Sequence, residues 1–147
     1  MPLRKPEEFL KEGSAVFRKA PTDTDAIAGW TAIARDKAKD SLNGENSTST
    51  RLGTAYDSVL NLSLAVLCSK GWRTTSADGH HAQSLEAACA YAGVSVSAFD
   101  DMDAVRDLRN QQYGGIAPSE ADVKLAIKSM NRIAPELLQL IAPFLSR

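Results

Sequence analysis

The sequence predicts an all-α protein, an antiparallel bundle of four to six helices. Apolar residues recur at steps of three and four along most of the chain. No segment alternates between apolar and polar residues as a half-buried strand would. Polar runs rich in Ser, Thr, Asp, Asn, Gly and Pro divide the periodic stretches where helices would start and stop. At 147 residues the chain has the size of one ordinary domain. A single domain is therefore expected, with residues 1–22 as an N-terminal extension and the bundle core over about 24–145.

Pro6 to Lys11 has the composition of one or two helical turns. PTDTD then offers Thr22, Asp23 and Thr24 as caps, whose oxygens can accept from the unpaired N–H groups of a first turn. The long helix that follows places Ile27, Trp30, Ala34, Ala38 and Leu42 on one face. Arg35, Asp36, Lys37, Lys39 and Asp40 lie between them on the solvated side. NGENSTST, residues 43–50, supplies an Asn-Gly turn and further caps, and joins two helices. From about Thr50 to Ser69 the apolar arc is broad, with Leu52, Ala55, Val59, Leu62 and Val66 in one line and Leu60, Leu64 and Leu67 beside it. This is the expected central helix. Lys70 puts a cation at the negative end of its dipole, and Gly71 can turn left-handed to stop it.

GWRTTSADGHH reads as a connection, and His81 to Ala92 as a shorter helix with Leu85, Ala88, Cys89 and Ala92 inward and Gly93 at its end. Ser95 or Ser97 caps the next helix, which stops at Gly114-Gly115 because paired glycines favour turns. PSEAD opens the last helix. Its stripe of Val123, Ile127, Met130, Ala134, Leu137, Ile141 and Phe144 suits a bundle seam, and Pro135 within it should bend the helix by removing a hydrogen bond.

Composition narrows the function. Lys and Arg number 17 against 18 Asp and Glu, for a net charge of −1, so bulk charge does not draw this chain to nucleic acid or membrane. Any anion site must be local. MPLRKPEEF lacks the apolar segment of a signal peptide, and no apolar run reaches the roughly 18 residues of a membrane span. A soluble, cytoplasmic protein with no membrane partner is expected. Cys68 and Cys89 sit among apolar residues and read as buried, reduced thiols. Walker loop, dinucleotide fingerprint and nucleophile elbow are absent, and no cofactor is expected.

The chemistry concentrates in RDLRNQQYGG, residues 106–115. At about 100° per residue, Met102, Arg106, Arg109 and Tyr113 fall within an arc of roughly 60° beside the apolar Ala98, Val105 and Leu108. Guanidinium groups at such a boundary can hold a phosphate or carboxylate through paired hydrogen bonds while their stems lie on apolar surface. The plainer reading pairs Arg106 with Asp101, Asp103 or Asp107, sets Arg109 at a helix end, and makes Tyr113 a core aromatic. His80 and His81, the only histidines, follow Asp78-Gly79 at a helix start; they read as a loop-to-helix junction, or as weak candidates for acid–base work. A metal site is not expected, because no Cys, His or carboxylate recurs near them at ligand spacing.

LRNQQYGG, followed by a Pro-Ser capped amphipathic helix, resembles the HEPN superfamily of small helical bundles, and GWRTTSADGHHAQSLEAA is similar to the segment that precedes the arginine-bearing helix there. The resemblance covers roughly residues 24 to 145. In that family an arginine and an adjacent polar residue stand a few positions before a histidine. The set lies at a homodimer interface whose cleft cuts RNA without metal, and one subgroup, paired with a nucleotidyltransferase antitoxin, adds a tyrosine shortly after. Carried over, Arg109 and Asn110 match the arginine-polar pair, and Gly114, Gly115 and Ile116 stand where histidine would fall. In a second register Arg106 is the motif arginine, Gln111 replaces the histidine and Tyr113 matches the subgroup tyrosine. Arg109, Asn110 and Tyr113 are thus the implied catalytic or phosphate-contacting residues, with Arg106, Gln111 and Asp107 accessory. Glutamine cannot exchange the protons that metal-free cleavage needs, whereas arginine can still hold phosphate.

The resemblance therefore implies a homodimeric RNA- or nucleotide-binding module of a bacterial stress, defence or toxin–antitoxin system, with weak or absent ribonuclease activity. The alternatives are an active metal-independent endoribonuclease and a purely structural dimerisation domain.

Overall fold

A computed structural model describes residues 2–145. In chain order the elements are α1 (Pro6–Lys11), β1 (Phe17–Lys19), α2 (Thr24–Leu42), α3 (Thr48–Ser69), β2 (Trp72–Thr74), α4 (His80–Ala92), α5 (Val96–Gln111) and α6 (Glu120–Ile141). Four of the helices start on a side-chain oxygen. Asp23 accepts from the Ala26 N–H, Ser47 from Thr50, Ser95 from Ala98 and Ser119 from Asp122. The Asp122 carboxylate returns the favour to the Ser119 N–H, so two orphan donors of α6 are satisfied together.

The protein is an all-α bundle built around α3, which packs against α2, α4, α5 and α6. Leu52, Ala55, Tyr56, Val59 and Val66 of this helix are completely buried. It is also the one helix among the described residues long and apolar enough to cross a membrane, yet 72% of its most apolar window is buried inside the protein. Its apolarity is that of a core helix wrapped by its neighbours.

Two seams differ from the periodic reading. On α6 the buried line is Val123, Ala126, Met130, Ile133, Leu137 and Ile141, with Ile127 and Ala134 only partly covered. Periodicity marks the apolar side, but the placement of α3 and α5 decides which apolar neighbours face inward. Leu42, expected on the inner face of α2, is 55% exposed at the helix end. Pro135 lies inside α6, which runs through it to Ile141.

The expectation that no strand forms is corrected by a small antiparallel ribbon, in which Phe17 pairs with Thr74, Arg18 with Arg73 and Lys19 with Trp72. Segments this short carry no readable alternation. What creates the ribbon is the turn at Gly71, whose φ of +86° lets the chain double back from α3, together with the Ala20 N–H donating to the Gly71 carbonyl at 2.9 Å. Phe17 and Trp72 then meet edge to face, 6.4 Å between centroids, in a second core cluster with Phe9, Val16, Leu67 and Ala87. Arg4 ties the same N-terminal segment to α4: its main-chain N–H and Nε both donate to Glu86 Oε2, at 2.9 and 2.8 Å. Residues read as an extension thus supply Phe9, Val16 and Phe17 to the interior. Cys68 and Cys89 are free and buried, and burial, reinforced by Glu86, pushes the Cys89 thiol up to about 12.

Candidate functional site

Arg106 and Arg109 project from α5 toward the bundle, their side chains 25% and 27% exposed. Arg106 stays on its own helix. Its Nε donates to Asp103 Oδ1 at 2.9 Å, and Nη2 lies 3.4 Å from Asp107 Oδ1. The hydrogen bond it donates to Asp103 raises its already high pKa, so it remains cationic. Arg109 instead crosses to α3, with Nη2 3.3 Å from Asp57 Oδ1 and its guanidinium carbon 5.3 Å from the centre of the Tyr56 ring. Arg109 does sit in the last turn of α5, at the helix end, but its side chain is taken up by this interhelical pair. A long side chain at the bundle boundary reaches the neighbouring carboxylate while its stem stays covered.

Tyr56 is fully buried, and its hydroxyl has no hydrogen-bond partner. Burial raises its pKa far above the ordinary phenol range despite the positive fields of Arg106 and Arg109, so it stays protonated. A buried hydroxyl left unpaired costs on the order of 1–3 kcal/mol.

His81, in the first turn of α4, belongs to the same neighbourhood. Burial, then the charges of His80, Arg109 and Arg106, hold its pKa below the ordinary value, while Asp57 opposes them. Its ring is 4.1 Å from that of His80, so the two histidines meet. The Nδ1 of His80 donates to the Ala77 carbonyl at 3.0 Å; in the neutral ring this leaves Nε2 as an acceptor.

The remaining sequence candidates lie outside this cluster. Asn110 and Gln111 are exposed, and Asp107 is 65% exposed beside Arg106. Tyr113, read as a possible core aromatic, is 88% exposed. The α-helix ends at Gln111 and tightens into a 3₁₀ turn over Gln112–Gly114, with Gly115 left-handed at φ +83°. A 3₁₀ turn advances about 120° per residue, which takes Tyr113 off the arc computed for an unbroken helix.

Tyr56 and Asp57 are the residues that sequence reasoning missed. Their only signal was that Asp57, next to a tyrosine, is the one acidic residue of α3. With them, α3 and α5 bring together the Arg106 and Arg109 guanidiniums, the buried Tyr56 phenol and the carboxylates of Asp57 and Asp103, and His81 of α4 lies in the field of both arginines. This arrangement can exchange a carboxylate for a phosphate at either arginine, and it can accept a proton at His81. Compared with protein-family models, curated proteins and solved structures, the chain matches none of them.

Proposed function

We propose that this chain is a HEPN-like RNA- or nucleotide-binding domain of a bacterial stress, defence or toxin–antitoxin system, with weak or absent ribonuclease activity. The observation that carries the reading is the pair of guanidiniums where α5 meets α3, Arg109 on Asp57 and over the Tyr56 ring and Arg106 on Asp103, with His81 in the positive field of both. Phosphate oxygens would take the place of Asp57 on Arg109 in a two-pronged contact. Cleavage requires both a base and an acid. His81 is held neutral and can serve as the base, but its depressed pKa leaves little imidazolium near pH 7, and the Tyr56 proton is locked in by burial. Binding is accordingly favoured over turnover. The exposed Tyr113 and Ile116, just past α5, would carry the homodimer contact that brings two such faces together, and a nucleotidyltransferase antitoxin is the protein partner that the resemblance implies.

The test is RNA affinity and RNA cleavage in chelator for the natural chain, Arg109→Ala and Asp57→Asn. Arg109→Ala should weaken binding about tenfold, the loss of one charge-assisted contact, and Asp57→Asn, which releases Arg109, should tighten it. Cleavage by the natural chain that disappears in Arg109→Ala would make it an active metal-independent endoribonuclease instead. A second reading rests on the ion pairs themselves: both arginines are already engaged by Asp57, Asp103 and Asp107. If they serve structure alone, both substitutions lower stability and neither changes RNA affinity.

A further inference from the structure

The register of the ribbon sets Arg18 of β1 directly opposite Arg73 of β2. Residues paired in this way put their side chains on one face with Cβ atoms roughly 5 Å apart, where two like charges repel and cost stability. Alternation turns Phe17 and Trp72 to the other face, and these are the residues that anchor the ribbon in the core. A ribbon held by them could carry a neutral side chain at position 18.

Both arginines line one cleft of about 670 Å³, together with Thr22, Asp23 and Thr24 from the chain entering α2. Arg73 is held in place there. Its guanidinium carbon lies 5.0 Å from the centre of the Trp30 ring, and its Nη2 is 3.3 Å from Asp23 Oδ2. Asp23 is committed twice, because its Oδ1 also accepts from the Ala26 N–H at 3.1 Å and so caps α2. Arg18 is exposed and has no ion-pair partner among the described residues. Two guanidiniums thus share one carboxylate, and the repulsion across the ribbon is left uncompensated.

We propose that Arg18 and Arg73 bind a phosphate group, that of a small phosphomonoester or of inorganic phosphate, at a site separate from the Arg109 cluster. A carboxylate has two oxygens in one plane and suits a single guanidinium, the role that Asp23 already fills for Arg73. A phosphate dianion carries two charges and at least three terminal oxygens arranged tetrahedrally, so it can bridge guanidiniums that arrive from two strands. The Thr22 and Thr24 hydroxyls are further donors within the same cleft. The cleft has the size of a small-molecule pocket, with room beyond the phosphate for the group that the ester carries.

The experiment is isothermal titration calorimetry with inorganic phosphate and with adenosine monophosphate, at constant ionic strength in chloride and at about pH 8, above the second phosphate pKa of about 6. Thermal melts are recorded in the same solutions, and glutarate is the dicarboxylate control. The natural chain is compared with Arg18→Gln and Arg109→Ala. It should bind at least one of the two phosphates and melt higher in that ligand than in chloride alone. Arg18→Gln should bind about tenfold more weakly or worse, the loss of one charge-assisted contact. Without phosphate this variant should melt no lower than the natural chain, because the cross-strand repulsion is gone. Tighter binding of adenosine monophosphate supports the site and makes its ligand a phosphomonoester; tighter binding of inorganic phosphate supports it and makes the ligand free phosphate. Binding of neither, equal affinity in Arg18→Gln, or glutarate binding as tightly as phosphate would each overturn the proposal. So would an Arg18→Gln chain that melts lower without phosphate, since Arg18 would then serve the fold. The Arg109→Ala arm keeps the two sites apart. Phosphate binding that survives it but is lost in Arg18→Gln belongs to the ribbon, whereas the reverse overturns the ribbon site and leaves the Arg109 cluster standing.

Discussion

Tyr56 is the residue whose chemistry is least reconciled with its surroundings. Its ring fills the core and lies under Arg109, but its hydroxyl is buried without a partner. Tyr56→Phe keeps the ring and deletes only that orphan group. The chain should therefore be unchanged or stabilised by up to about 1 kcal/mol in urea denaturation, where loss of a satisfied hydroxyl would cost about that much. A clear destabilisation would mean that the hydroxyl is hydrogen-bonded after all. Arg106 and Arg109 were legible from spacing as boundary residues, because helical rotation sets which side of a helix a residue occupies. Asp57 was not legible as the partner of Arg109, since sequence spacing relates residues within one helix and says nothing of the helix across from it. Tyr113 was misplaced for a local reason, the 3₁₀ tightening after Gln111.

Elements were read most reliably where a cap announces them. Asp23, Ser95 and Ser119 each start the helix expected of them, and Gly93 closes α4 in the left-handed conformation, at φ +69°. The ribbon of β1 and β2 was missed because it depends on a partner far along the chain rather than on any internal pattern. Helix α4 carries a pH dependence of its own. His81 is partly buried in its first turn, near the positive end of the helix dipole and two arginines, so its charged form is disfavoured in the folded state. The unfolded chain then binds the proton more tightly. Stability from a neutral His81 is fully present above its ordinary value of 6.5 and is lost as pH falls through the depressed folded value. Thermal melts should drop on acidification below about 6.5, and His81→Gln should flatten that drop. An identical pH profile in the variant would place the sensitivity elsewhere.

At the scale of the whole molecule, the question is whether one copy is the working unit. Tyr113 and Ile116, 88% and 57% exposed, lie close in sequence just past α5, and the proposed dimer would cover them. Light scattering is expected to find a dimer, and Tyr113→Ser combined with Ile116→Ser should shift it to monomer; a natural chain that is monomeric at high micromolar concentration would remove the shared-cleft reading. By itself the sequence determined the helical class, the order of the long helices, the central place of α3 and the candidacy of Arg106 and Arg109, because periodicity, caps and glycine stops are local properties of the chain. Only the tertiary structure decided that Arg109 meets Asp57 and Tyr56, that His81 lies in the field of both arginines from a third helix, and that the N-terminal segment pairs with the strand after α3. Those are encounters between residues distant in sequence, set by how the helices pack, and no one-dimensional pattern records them.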